Sequence, residues 1–180
     1  GGYLTHVNLD QQDVIGIFVS APLNIARWWN TFTDAGICRT RNQADFGMEG
    51  KTIDMAQTTW QVYHQSTFNL PADFAIELSG FYNAPALWGA NFQTKGFGGM
   101  DIGASKRFLD GRGSVKMAVT DVFHTMQWAG SQSYGGLEFE GRGGWESRQF
   151  KVNVTYRFGS EQFKRGGKRK TGLDDVQGRA

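Results

Sequence analysis

Residues 150–158 read FKVNVTYRF. Phe150, Val152, Val154, Tyr156 and Phe158 take every second position, and Lys151, Asn153, Thr155 and Arg157 fill the gaps. Successive side chains of a strand point to opposite faces, so the segment reads as a strand with one apolar and one polar face. Its length is also about what a tilted strand needs to cross the hydrocarbon core of a bilayer. The aromatics at its end, Tyr156 and Phe158, close the apolar face as an interfacial girdle closes an apolar band. A soluble sheet packed on a core shows the same alternation, so the rest of the chain has to decide between the two.

Composition leans toward the bilayer without requiring it. Hydrophobic residues make up 39% of the 180, and the mean hydropathy of −0.44 is low for a helical membrane protein. A membrane-spanning sheet with a wet interior needs apolar side chains on one face alone, so its average polarity resembles that of a soluble protein. No run approaches the roughly 18 apolar residues of a spanning helix; the longest candidate, VIGIFVSAPL from Val14, is broken by Gly16 and meets Pro22. The 25 glycines suit tight turns and crowded positions. Cys38 stands alone, which excludes a disulfide framework within this sequence. Gly1 is not a methionine and no signal peptide precedes the first strand, so the chain reads as the C-terminal part of a longer exported protein.

The connections sort by length. APLN (residues 21–24), NLPAD (69–73) and LDGRG (109–113) read as compact turns, whereas residues 39–52, 84–95 and 127–144 read as long polar or glycine-rich loops. Short and long connections therefore alternate along a meander whose strands are expected at 11–20, 25–38, 53–69, 74–83, 96–109, 114–126 and 145–158, with an eighth at 3–9. An outer-membrane barrel, with tight periplasmic turns and long extracellular loops, sorts its connections in this way; a soluble sandwich has no reason to. The last strand then ends in the periplasm, and residues 159–180 form a separate tail. The tail carries six Lys/Arg against three Asp/Glu, a net +3, which leaves −1 on residues 1–158 of a chain whose total is +2. Its KRGGKRK run (164–170) is read as a solvated, disordered periplasmic extension. No basic groove or stacking platform accompanies it, so a nucleic-acid partner is not expected.

Other strands repeat the two-faced pattern. Phe74, Ile76 and Leu78 alternate with Ala75, Glu77 and Ser79, and Met100, Ile102 and Ala104 with Asp101, Gly103 and Ser105. Val115, Met117, Val119 and Phe123 alternate with Lys116, Ala118, Thr120 and Val122. Lys106 breaks the apolar register near the short-turn rim, where a lysine snorkels. Asp121 falls in the apolar register too and is expected at the extracellular rim, where a charge costs least. His64 and Ser66 weaken the pattern at 53–69 by sharing a face with Trp60, Val62 and Phe68. The six tryptophans mostly fall near the expected strand ends, as interface girdles require.

Covalent chemistry finds no foothold, and no catalytic role is expected. His6, His64 and His124 lack metal-ligand spacing, and GFGGMDIG (96–103) lacks the glycine spacing and following helix of a dinucleotide loop. Ser147, Asp101 and His124 make an imaginable triad of the kind any β protein offers, and are read as unrelated. Glu138 and Glu140 read as solvated loop charges. No cofactor and no metal site is expected.

WESRQFKVNVTYRFG followed by KRKTGLDD resembles the end of TonB-dependent receptor-like outer-membrane β-barrels, particularly those of Bacteroidetes. TFNLPADFAIELSGFYNAPALWG (67–89), SKRFLDGRGSVKMAVTDVFHT (105–125) and PLNIARWW (22–29) resemble the preceding strands of that family, in the same order. The resemblance implies an all-β antiparallel transmembrane barrel, of which residues 1–158 supply the C-terminal seven or eight strands. It implies a plugged barrel of a Gram-negative bacterium that imports a scarce ligand with energy from the TonB complex, through a plug and N-terminal segment outside this sequence. In that frame Phe150, Val152, Val154, Tyr156 and Phe158 face outer-membrane lipid. Glu77, Asp101, Arg107, Lys116, Lys151, Asn153, Thr155 and Arg157 face the lumen. Tyr156 and Phe158 supply the assembly signal read by the barrel-assembly machinery. Competing readings are a small self-contained barrel acting as adhesin, enzyme or structural protein, a non-transporting member of the same family, and a soluble β-sandwich.

Overall fold

The computed structural model describes residues 11–45, 52–89, 91–134 and 137–158, and these form eleven strands and no helix. The strands are β1 (Gln11–Ala26), β2 (Trp29–Asp45), β3 (Thr52–Leu70), β4 (Phe74–Asn83), β5 (Ala86–Trp88), β6 (Phe92–Thr94), β7 (Phe97–Phe108), β8 (Gly113–Thr120), β9 (Gln127–Tyr134), β10 (Leu137–Gly144) and β11 (Gln149–Tyr156). Seven of them build one antiparallel sheet in the order β1-β2-β3-β4-β7-β8-β11. The other four build a smaller sheet, β10-β9-β6-β5, out of the two long connections of the meander. The antiparallel all-β architecture matches the expectation, and the ends of the large sheet are β1 and β11.

Register converts the strand patterns into two continuous faces. Phe150, Val119, Ile102 and Leu78 stand side by side across β11, β8, β7 and β4. The adjacent row runs Val152, Met117, Ala104, Ile76, Phe68 and Trp29 from β11 to β2. Pairing is two-residue periodic, so a slip by one would invert every strand, and this register is the one that keeps the apolar residues together. No second layer covers that face among the described residues. Val154 is 68% exposed, Ile17 70% and Ile15 76%, while the buried apolar side chains are Ala44, Ile53 and Ala84. Exposed apolar area on this scale is at odds with water as the solvent on that side.

Several strand limits differ from the sequence expectation. The APLN segment is part of β1, and the turn is Arg27–Trp28. Pro22 lies opposite Phe32 on an edge strand, where its missing N–H need not meet a second neighbour. The turns at residues 71–73 and 109–112 stand as expected, each with two non-glycine residues in the left-handed region: Ala72 and Asp73, then Leu109 and Asp110. Strand β2 runs on to Asp45, so the first long connection shrinks to residues 46–51, outside the described residues. The loops expected at 84–95 and 127–144 hold β5, β6, β9 and β10, because short pieces pair across the intervening β7–β8 hairpin. Strand β8 ends at Thr120, so Asp121 and Phe123 leave the apolar register, Asp121 with φ 45°. Residues 145–148 precede β11 without pairing as a strand. The eighth strand at 3–9 and the basic tail from 159 lie outside the described residues.

Candidate functional site

The apolar face is bordered by aromatics at both ends. Toward the short turns, Trp28, Trp29 and Phe68 stack with centroids 5.7–6.1 Å apart, and Lys106 Nζ sits 4.3 Å over the Phe74 ring. Tyr156 and Phe158 meet edge to face at 4.6 Å, with Phe158 89% exposed. Toward the loops, Trp60 packs on Tyr82 at 5.1 Å. From Trp60 to Phe68 inclusive β3 spans nine residues, against the roughly 9–11 a tilted strand needs to cross a membrane. Loop-ward of Trp60 the same face turns polar, with a bidentate pair from Arg41 Nε and Nη2 to Asp54 at 2.8 and 2.6 Å. Inside the band, His64 and Ser66 are satisfied locally. Thr33 Oγ1 lies 2.8 Å from His64 Nδ1, His64 Nε2 lies 3.1 Å from Ser66 Oγ, and the Trp29 indole donates to Ser66 at 3.2 Å. This internal pairing lets two polar side chains occupy an apolar surface.

The opposite face collects most of the residues expected in the lumen. Lys151, Ala118, Gly103 and Glu77 form one row, Asn153, Lys116 and Ser105 the next, and Thr155, Ser114 and Arg107 the third. Lys116 Nζ reaches across β7 to donate to Glu77. Gly103 makes that crossing possible, because a Cβ there would lie 3.7 Å from Lys116 Cε and any larger side chain would occupy its path. Arg107 turns to the short-turn end, 3.5 Å from Asp73. Arg157 lies just past β11, its N–H donating to Arg112 O at 2.8 Å. The face is less polar than the closing strand implies. On β1 to β4 it carries Phe18, Phe32, Tyr63 and Phe81, with Phe32 and Tyr63 in contact at 6.2 Å.

Asp101 and Ser147 do approach one another's neighbourhood, through a residue that the sequence did not single out as a site. Asp121 is fully buried at the loop end of β8. Its carboxylate accepts from Ser147 Oγ at 2.5 Å and from the N–H groups of Thr125 and Met126 at 2.8 and 3.1 Å, while its own N–H donates to Asp101 Oδ1 at 2.8 Å. Burial on its own would raise the carboxyl pKa. The Ser147 hydroxyl, the two backbone N–H groups and the Thr125 hydroxyl outweigh it and hold the pKa at about 2. The Ser147 hydroxyl thus caps a carboxylate, and His124 joins through its backbone N–H, which donates to Asp121 O at 2.9 Å. The grouping ties the chain leaving β8 to the chain entering β11. Glu138 and Glu140 lie on β10, separated by one residue and so on one face.

The small sheet closes over the loop end. Asn42, buried on β2, donates to Gly89 O at 2.6 Å and accepts from Gln12 at 2.9 Å, and Thr59 Oγ1 donates to Ala84 O at 3.3 Å. These bonds hold the β5–β6 hairpin against the same face that carries Glu77 and Lys116. One side of the small sheet is aromatic. Phe92 stacks on Trp128 at 5.6 Å with planes 6° apart, and Trp88 meets Phe92 edge-on at 6.2 Å. Gly130 admits the Phe92 ring, which would lie 2.3 Å from a Cβ at that position. Between hairpin and wall lies a cavity of about 290 Å³ with Phe18, Cys38, Thr59, Gln61, Asn83 and Trp88 among its lining. Sequence pattern gave no warning of it. The available signal was a run of alternate small or aromatic residues on the polar register, Gly16, Phe18, Gly36 and Cys38.

A family model described as "Outer membrane protein beta-barrel family" matches residues 2–156. No curated protein and no solved structure matches the chain.

Proposed function

Because the chain belongs to the outer membrane protein beta-barrel family, we propose that its seven-stranded sheet is wall segment to a plugged, TonB-dependent receptor of the Bacteroidetes type that imports a scarce ligand. The observation that carries this reading is the cavity between the β5–β6 hairpin and the wall, on the face opposite the apolar band. A passive structural wall needs the band alone; a receptor also needs a place near its mouth where a solute is held.

In this reading the face of Val152, Met117 and Ile76 meets outer-membrane lipid, and the face of Glu77, Lys116, Asp101, Arg107, Lys151, Asn153, Thr155 and Arg157 meets the lumen and plug. The barrel-assembly machinery reads Tyr156 and Phe158. Residues 159–180 extend into the periplasm, and the energy complex docks on a segment outside this sequence. The protein works without a cofactor, a nucleic-acid partner or a catalytic residue of its own.

The test is genetic. The gene for this protein and the gene for the inner-membrane energy complex are deleted separately, and growth is compared across a panel of limiting nutrients. A shared defect on the same nutrient is the expected result. A defect that appears without this protein and is indifferent to the energy complex would sink active transport and leave passive uptake, and no defect on any nutrient would leave a non-transporting wall.

A further inference from the structure

The cavity under the β5–β6 hairpin has a definite chemical character. Its floor is Phe18, Gly36 and Cys38 from β1 and β2 with Thr59 and Gln61 from β3, and Trp88 stands at its edge, 68% exposed. None of the residues lining it is charged. On the neighbouring strands the charges are either turned away or already engaged. Arg41 lies on the other face and pairs with Asp54, and Asp34 accepts from Ser20 Oγ at 2.5 Å. A charged group entering this space would lose water without gaining a counter-ion, which is a heavy cost. A flat apolar surface would instead find Phe18 and Trp88, and edge hydroxyls or amides would find Gln61 and Asn83, each able to donate and accept, and Thr59, whose hydroxyl donates to Ala84 O and still accepts. One more acceptor lies on the same wall face, the buried and unpartnered Oε1 of Gln57, two residues along β3 from Thr59. The volume sits at the lower end of the roughly 300–1,000 Å³ range of small-ligand sites, enough for a single ring.

We infer that this cavity is a selectivity site for an uncharged, ring-bearing small molecule with a flat apolar face and hydrogen-bonding edges. The inference rests on the reading of this face as lumen, and deepens it from a receptor of unspecified ligand to one whose ligand class is neutral.

Cys38 lets the site be tested without knowing the ligand. The intact full-length protein, purified in detergent, is treated with methanethiosulfonates of four kinds: benzyl, methyl, sulfonatoethyl and trimethylammonioethyl. Modification is followed by mass spectrometry of the peptide carrying Cys38, and each rate is divided by that reagent's rate with free cysteine. The benzyl reagent should lead both charged ones by at least about tenfold, because neither charge finds a partner in the cavity. Trp88→Ala should lower the benzyl rate by about three- to tenfold and leave the charged rates alone. Gln61→Glu, which changes charge with little change in shape, should raise the cationic rate above the anionic one and lower the benzyl rate. Equal normalised rates for all four reagents, with no response to either substitution, would overturn the selectivity and leave the lumen assignment standing. A Cys38 that reacts with none of them would overturn both.

Discussion

Asp121 is a carboxylate that has left its strand and holds the loop end of the wall together. Its folded pKa of about 2 lies below the ordinary 3.8, so the ionised form is favoured by folding. The stabilisation it gives is therefore complete above about pH 4 and disappears as the pH falls toward about 2. Hydrogen exchange at Thr125, Met126 and Ser147 should accelerate across that window. In Asp121→Asn the acid step should vanish and exchange at neutral pH should already be fast. If the acid step survives the substitution, some other carboxyl governs the loop end. Ser147→Ala should give an intermediate protein, since the two backbone N–H donors remain. This site was not legible as such in the sequence. Alternation placed Asp121 on the apolar face, and its position at the extracellular end was expected from the cost of a charge. Two donors to its carboxylate, the Thr125 and Met126 N–H groups, are local, but the Ser147 hydroxyl and the Asp101 contact come from distant parts of the chain, and no local pattern encodes them.

At the scale of the strand, the two faces of β11 make opposite predictions for neighbouring residues. Val152→Arg puts a cation among Met117, Ala104 and Ile76, at a cost of about 2–4 kcal/mol if that row lies near the bilayer midplane. Asn153→Arg, beside Lys116 on the other face, should leave assembly nearly intact. Outer-membrane abundance of the two full-length variants decides, and equal effects would mean that β11 is not half in lipid. Phe158→Ser should lower abundance as well, through recognition by the assembly machinery. In the small sheet, Gly130→Ala drives a Cβ into the Phe92 ring and within 2.7 Å of Gln93 O, so it should dismantle the Phe92–Trp128 stack. Loss of near-ultraviolet circular dichroism with retained abundance is the expected outcome. Strand β11 was legible because its period-two pattern runs without a break. The β1–β2 turn is harder to read, since Pro22 has the look of punctuation and yet sits within an edge strand that tolerates it. Strands β5, β6, β9 and β10 are hard to read because three-residue pieces and Gly/Gln/Ser-rich stretches have almost no periodicity, and the pairing that joins the two hairpins, β6 with β9, spans a long stretch of chain.

Among the described residues, the large sheet presents an unpaired edge at β1 and another at β11. Unpaired N–H and C=O groups in hydrocarbon cost several kcal/mol each, so a wall of this kind needs further strands to close it. Residues 1–158 exported without other strands should fail to give a heat-modifiable band on a gel. A protease-resistant monomer in outer-membrane fractions would instead favour a small self-contained barrel. The pairing of β6 with β9 adds a matter of timing. Phe92 sits opposite Gln132, and the β7–β8 hairpin lies between them in the chain. Joining β6 to β9 closes a loop that contains the whole β7–β8 hairpin, so that step should follow the turning of the hairpin. Before then the segment around Gln127–Tyr134 has no partner in β6 and is open to attack. An external protease pulsed during assembly should cut there in newly exported chains and spare mature ones. The clasp over the mouth would thus double as a clock, marking the moment at which the wall beneath it is finished.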